Sequence, residues 1–491
     1  MSDGITTTSI GVERESLLTA YRLRSEHAQH WSSPFAARRV HLIGIGGCGM
    51  SGLAGVMLRC GAIVSGSDLE ESKGFVRLAE LGATIRIGQA PLNLPSDCDF
   101  VVYSAAINEK NPELIEARRR GVRCIKYAEM LGEVMQLRTG IAIAGTHGKS
   151  TTAAMLAYIL RRAKTDPTFV IGAEVGQLAG GSGVGDGPHF VVEACEYDRS
   201  FLNLSPKYAV ILNIEEDHLD CFRDLGAIVE AFGAFASHVA SDGVVVANGE
   251  DTAVAGAVRK TAAPVETFGF SDAMYWRAVN ITQTRSCYAF DVHRDGVFLL
   301  RARMDKLPGR HQVSNALVAT ALAHHAGVSP ECIVESLPRF AGVERRLTVR
   351  GEMGGVLLLD DYGHHPTEIQ VTLRTVREHY PDRRLWVIFQ PHQHSRTRFF
   401  LNDFAQSFGL VDHLLVPDIY FVRDSEAERH AICSSNLVDR VRDNGGDALY
   451  LPSHDQIVEH ILAHAKSGDM VLTMGAGDVW KIGDELVRRF G

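Results

Sequence analysis

The 491-residue sequence has no C-x-x-C pair, no long apolar run and no excess of positive charge, and each absence removes a class of protein. Its nine cysteines are scattered and odd in number, which speaks against a disulfide framework or a zinc knuckle and for a reducing, cytoplasmic setting. No stretch is apolar for long enough to cross a bilayer, and residues 1–40 lack the apolar centre of a secretory signal. Residues 1–37 are expected to be partly mobile, with one short helix around Glu15 to Arg24. A net charge of −9 supports neither nucleic-acid nor membrane partners, so a site for an anion has to be built from local groups. The chain is also too long for one hydrophobic core and shows no internal repeat; three domains fit its pattern.

What is present centres on Ile141 to Thr152, I-A-I-A-G-T-H-G-K-S-T-T. Ile141 to Ala144 reads as a buried strand, Gly145 and Gly148 allow a tight turn, and Thr151 to Leu160 has helical composition. Amides at such a helix start can face an anion. Lys149 would then neutralise outer phosphates, and the Ser150 hydroxyl could ligate the magnesium of a nucleoside triphosphate. The common G-x-x-x-x-G-K-[ST] pattern needs a glycine where Ile143 stands, so the loop is a shortened one.

Upstream, Arg39 to Asp68 reads as strand, glycine turn, helix and strand, with Gly44, Gly46 and Gly49 making G-x-G-x-x-G. Leu53, Met57 and Cys60 fall on one helical face, and Asp68 ends the second strand, where a carboxylate meets a ribose of a dinucleotide or of a UDP-sugar. Strands are expected at Asp99 to Ala105 and Val122 to Ile125, with a helix at Pro112 to Arg120 between them. Further apolar runs at Phe169 to Gly172, His189 to Ala194, Tyr208 to Ile214 and Gly243 to Ala247 predict a second, mostly parallel α/β sheet. The glycine-rich stretch Gly180 to Gly187 reads as a surface loop, and Tyr275 to Arg303 as a few antiparallel strands before a helix near Pro308.

Two acidic clusters follow strands of this second sheet, Glu193 to Asp198 and Asn213 to Asp220, and strand ends in open α/β sheets are where ligands collect. They are placed to hold metal beside the phosphates, although His218 is an unusual ligand for a hard cation. A third domain opens near Val343. Its strands Val356 to Asp360 and Leu385 to Phe389 run into D-D-Y-G-H-H-P-T-E-I and F-Q-P-H-Q-H-S-R-T-R, where histidine and arginine are too dense for a core.

Together, G-I-G-G-C-G-M-S-G-L-A, A-G-T-H-G-K-S-T-T, N-I-E-E-D-H-L-D, P-G-R-H-Q-V-S-N-A-L, F-A-G-V-E-R-R and D-D-Y-G-H-H-P-T-E-I resemble, in that order, the motifs of the Mur ligase family. The resemblance implies three α/β domains: a Rossmann-like UDP-sugar domain over 38–137, a central ATP-binding domain over 138–342, and a Rossmann-like C-terminal domain over 343–491 that closes on both. It implies ATP-dependent ligation of L-alanine to UDP-N-acetylmuramate through an acyl phosphate, by a monomer or weak homodimer. The alternatives are the family's tripeptide-recycling activity, a nucleotide-sensing P-loop protein and an NAD-dependent oxidoreductase. By position, Gly145, Thr146, His147, Gly148, Lys149, Ser150 and Thr151 would cradle ATP, with His311 and Asn315 at adenine and Arg346 nearby. Ser150, Glu193 and His218 would hold magnesium, two ions in all. Gly46, Gly47, Gly49, Met50, Asp68 and Ser104 would meet the UDP-sugar. Lys149, Glu193, His218, His364 and Arg396 would be catalytic, with Tyr362 and His392 also lining the cleft. The proton of the attacking amine could go to His364, His365 or a metal-ordered carboxylate. Cys195, Gln89, Gln393 and His394 depart from the family pattern, and no lysine between Lys207 and Lys260 is available for carbamylation.

Overall fold

The computed structural model describes residues 33–490 apart from Lys73, Leu219, Arg285 and Ser286, so the helix expected around Glu15 to Arg24 lies outside the described residues. Three sheets follow one another along the chain. The first holds β1 (Arg39–Ile43), β2 (Ile63–Asp68), β3 (Thr84–Ile87), β4 (Phe100–Tyr103) and β5 (Arg123–Lys126), all parallel in the order β3-β2-β1-β4-β5. The switch in strand order lies between β1 and β4, and a ligand crevice belongs at their carboxyl ends. Helix α1 (Cys48–Arg59) leaves the β1 turn and buries Leu53 and Met57 as their spacing predicts, with Cys60 buried just beyond its end.

The second sheet has ten strands: β6 (Thr139–Ala144), β7 (Thr168–Val170), β8 (Ser182–Gly183), β9 (His189–Glu193), β10 (Tyr208–Ile211), β11 (Val244–Asn248), β12 (Val265–Gly269), β13 (Trp276–Thr284), β14 (Cys287–Arg294) and β15 (Val297–Met304). Their order is β15-β14-β13-β12-β11-β10-β6-β9-β7-β8, parallel from β13 through β7 and antiparallel at both margins. The expectation of a surface loop at Gly180 to Gly187 is corrected: the stretch contains edge strand β8, and Gly181, Gly183 and Gly185 are buried. A Cβ on Gly183 would overlap the Phe169 ring, so glycine serves close packing here.

The third sheet, β16 (Thr348–Met353), β17 (Val356–Asp361), β18 (Leu385–Phe389), β19 (His413–Val416), β20 (Ala448–Tyr450) and β21 (Met470–Met474), runs β16-β17-β21-β18-β19-β20 with only β16 antiparallel.

The two domain joints differ in kind. One apolar cluster runs without a break from Leu42 and Met57 through Met135 to Ala142, Phe190 and Phe201, so the first two domains share a core. Helix α2 (Tyr127–Met135) lies so close to Asn203 that a Cβ on Gly132 would overlap its carbonyl. The third domain has its own two clusters, one on each face of its sheet. The second domain meets it through hydrogen bonds and ion pairs, described next.

Candidate active site

The phosphate loop connects β6 to helix α3 (Lys149–Arg162). Gly145 (φ 142°) and Gly148 (φ 84°) hold the turn in conformations that favour glycine, and a Cβ on Gly148 would come 2.9 Å from Asn315 Oδ1. Asn315 and His311 lie on helix α4 (Arg310–His325), which therefore borders the loop. Burial and the nearby Arg346 push His311 down to about 4, so its ring is neutral at physiological pH. The first turn of α3 offers amides without intrahelical partners, and the Thr151 side chain behind them is buried.

Lys149 arcs back over its own loop. Its Nζ donates to Gly145 O at 2.5 Å and Thr146 O at 3.1 Å and lies 2.9 Å from Glu196 Oε2. Burial opposes the charge, but Glu196 outweighs it and holds the ammonium above its ordinary pKa. Ser150 Oγ donates to Glu193 Oε2 at 2.9 Å, and the Gly172 amide donates to the same oxygen at 2.8 Å. Two of the expected metal ligands are thus in contact. The third, His218, has φ 52°, and burial lowers its pKa against the opposing pull of Asp217 and Glu196. Its Nδ1 is buried without a hydrogen-bond partner, an atom suited to a ligand, while Nε2 lies 3.7 Å from Glu196 and 3.9 Å from Asp217. Ser150 and Glu193 thus set a hydroxyl beside a carboxylate, oxygen ligands of the kind a divalent cation beside phosphates takes.

From the third domain, helix α5 (Pro366–His379) begins at His365, whose ring lies 4.8 Å from that of His147 in the loop, and helix α6 (His394–Phe399) carries Arg396. Arg396, buried on α6, pairs with Asp217 at 2.5 Å and stands 3.3 Å from His392 Nδ1. Burial alone would raise the Asp217 carboxyl, yet Arg396 takes it well below the usual range. His392 is pushed down to about 2, first by burial and then by His364 and Arg396. Arg346 pairs with Glu368 at 3.2 Å and stands over the Tyr362 ring. His147 lies between Glu215 at 3.4 Å and Glu368 at 3.3 Å; burial works against its charge, but the two carboxylates raise it to about 9.

The two histidines offered as bases are distinguished by their partners. His365 uses both ring nitrogens: Nε2 donates to Glu216 O at 3.0 Å and Nδ1 accepts from the Thr367 amide at 3.3 Å. It is therefore a clasp between domains and not a free base. His364 Nδ1–H donates to Tyr362 O at 3.2 Å, which leaves its Nε2 lone pair available, and burial pushes the ring down to about 4.

In the first domain the Asp68 carboxylate accepts from the Gly46 amide at 2.8 Å and the Leu69 amide at 2.7 Å, so it braces the glycine loop. Gly47 caps α1, and a Cβ on Gly49 would stand 2.6 Å from the Tyr127 hydroxyl of α2. Met50 is packed into the core, which leaves only its backbone for a ligand, and Ser104 Oγ accepts from the Ala106 amide at 3.3 Å. Gln89 accepts from Asn111 at 2.7 Å and so has a local structural partner.

Three family models match the chain in sequence: Mur ligase family, catalytic domain, over residues 39–139; Mur ligase middle domain over 143–323; and Mur ligase, glutamate ligase domain, over 345–477. The chain belongs to the Mur ligase family. It is 41% identical to a UDP-N-acetylmuramate–L-alanine ligase of Agathobacter rectalis over 92% of this chain and 98% of that one. A ligase of the same name from Solidesulfovibrio magneticus is 43% identical over 91% and 97%. Among solved structures it is similar to UDP-N-acetylmuramate-alanine ligase of Thermotoga maritima, with TM-score 0.77 and 28% identity, covering 92% of this chain and 99% of that one. It is also similar to a murein peptide ligase of Psychrobacter arcticus, with TM-score 0.70 and 29% identity over 93% and 99%. In this Mur ligase, sequence reasoning missed Glu196, Asp217 and Glu368 as partners of Lys149, Arg396 and Arg346. All three stand inside motifs already singled out; what marks them is a cation brought up from far along the chain.

Proposed function

We propose that this Mur ligase joins L-alanine to UDP-N-acetylmuramate at the expense of ATP, which leaves as ADP and phosphate, an early step of peptidoglycan precursor synthesis for the cell wall. The observation that carries the proposal is the run of contacts from the phosphate loop to the third domain, in which Lys149 pairs with Glu196, His218 stands near Glu196 and Asp217, and Asp217 pairs with Arg396. A carboxylate resists amine attack because its charge repels the nucleophile and oxide leaves poorly, so it must be activated first. The glycine loop and α3 amides would cradle ATP, and Lys149 would exchange Glu196 for the γ-phosphoryl group as the muramate carboxylate attacks it. Ser150, Glu193 and His218 would hold Mg2+, in two ions, which supplies further neutralisation of the phosphates when bound. The acyl phosphate then meets the amine of alanine, whose proton His364 Nε2 is placed to accept. Bound phosphates would raise that nitrogen's basicity from its suppressed value. Arg346 and Arg396 stabilise the anionic intermediate, and phosphate leaves. The UDP-sugar would lie at the β1 and β4 carboxyl ends, around Gly46, Gly47, Gly49 and Ser104, in a cytoplasmic enzyme acting as monomer or weak homodimer.

The broken bond provides the test. UDP-N-acetylmuramate labelled with ¹⁸O in its carboxylate should release phosphate carrying one labelled oxygen, only with ATP, Mg2+ and L-alanine all present. Unlabelled phosphate at the full rate of product formation would refute the acyl phosphate. A second reading, attachment of a tripeptide to the same sugar, draws on the similarity to the Psychrobacter arcticus structure. Turnover with L-alanine-γ-D-glutamyl-diaminopimelate exceeding that with L-alanine would favour it.

A further inference from the structure

Where the second and third domains meet, three side chains from separate segments turn ligating atoms toward one point. His147 comes from the phosphate loop, Glu215 from the segment after β10, and His365 from the residue that caps α5. His147 Nε2 lies 3.4 Å and His365 Nδ1 3.7 Å from Glu215 Oε2, and the three ligand atoms all lie within 4.8 Å of one another. Neighbours set the tautomers. His147 Nδ1 faces the Glu368 carboxylate at 3.3 Å, which accepts its N–H; Nε2, the inward atom, is buried and makes no aligned hydrogen bond. His365 Nε2–H donates to Glu216 O at 3.0 Å, so its lone pair is on Nδ1, which faces Glu215; there it accepts the Thr367 amide at 3.3 Å, a bond that an incoming ion has to displace. Thr367 Oγ1 donates to Glu215 Oε2 at 2.6 Å and orients the carboxylate. Each imidazole therefore has one N–H tied to an oxygen and one nitrogen facing the carboxylate, the outer arrangement that metal-bound histidines use.

We propose that His147, Glu215 and His365 form a site for a zinc-class divalent ion, separate from the set of Ser150, Glu193 and His218. Two imidazoles and one carboxylate suit Zn2+ or Co2+, whereas Mg2+ prefers oxygen and keeps its waters. The ion takes the place of the proton that His147 holds between two carboxylates, and that proton goes to solvent. Because His147 and Glu215 belong to the second domain and His365 to the third, the ion also ties the two domains together in their closed arrangement. His147 is itself part of the phosphate loop, so the tie reaches the ATP cradle directly.

The test needs no turnover and so stands apart from the ligase reading. Full-length protein stripped with EDTA is titrated with Zn2+ against a chromophoric chelator in excess Mg2+, and with Co2+ followed by visible absorption. One ion per chain is expected, with the intense absorption of a low-coordinate cobalt site. Glu215→Gln and His365→Asn should each weaken Zn2+ binding by at least about 10–100-fold. Glu193→Gln should leave the affinity unchanged. Thermal unfolding of each variant in EDTA checks that it folds, and the two ligand variants are independent of each other. Unchanged affinity in both, or a loss in Glu193→Gln instead, overturns the site, as does the absence of Zn2+ and Co2+ binding to the unaltered protein.

Discussion

At the scale of single residues, Glu196 matters most among the groups that the motifs did not disclose. It holds the Lys149 ammonium in a largely buried ion pair, and any phosphate that takes the lysine must displace it. Glu196→Gln leaves that ammonium with a weaker partner, which raises the energy of the free protein more than that of the nucleotide complex. ATP should then bind about tenfold more tightly by calorimetry, the ~1.4 kcal/mol scale of one charge-assisted hydrogen bond. Weaker ATP binding would instead make Glu196 a direct metal or nucleotide ligand. Lys149, Ser150 and Glu193 were legible in the sequence because each sits in a short pattern whose chemistry is local to it. Glu196, Asp217 and Glu368 were not, because an acidic residue declares its role only when a distant cation is folded against it. The choice between His364 and His365 was equally hidden, since it rests on which carbonyl each ring meets.

At the scale of elements, the long buried strands and α1 were readable from apolar runs and helical spacing, and their observed bounds differ from expectation by a few residues. Strands β3, β8, β12, β16 and β20 were missed. Four of them lie at sheet margins, where half-exposure or glycine content erases the pattern, and β12 has only two buried residues. The third glycine of G-x-G-x-x-G has a more specific task than the motif states, because it lets α1 approach the Tyr127 hydroxyl of α2. Gly49→Ala should cost about 1–3 kcal/mol through overpacking and lower the thermal midpoint. Adding Tyr127→Phe removes the hydroxyl that a Cβ meets and should recover part of the loss. Equal destabilisation in the single and double variants would show that the helix start, and not this contact, demands glycine.

At the scale of the whole molecule, the first two domains share a core while the third has cores of its own and meets the second through polar groups such as the Arg396–Asp217 pair. The polar joint makes stability sensitive to acid. His364 and His311 are pushed down to about 4 and His392 to about 2, against an ordinary value of 6.5. Above pH 6.5 these rings are neutral whether folded or not, and their contribution is complete. As pH falls below 6.5 the unfolded chain takes up protons that the folded one refuses, so stability declines. Asp361, raised to about 6 by burial, runs the other way, but it is one group against three. The calorimetric midpoint should therefore fall between pH 6.5 and about 5, and less steeply in His364→Gln/His392→Gln. Identical slopes in the two proteins would mean that these rings are charged in the folded state.

The packing of α1 on β8 reaches further. A Cβ on Gly52 would stand 2.8 Å from the Ser182 side chain, and Arg77 donates to the carbonyls of Ala179 and Ser182, so the first domain covers the open margin of the ten-stranded sheet. That margin is otherwise a row of unpaired backbone groups ready to template another chain. The first domain is thus also an edge cap for the second, and a chain begun at Thr139 should associate edge to edge more than the full chain does, as light scattering would show.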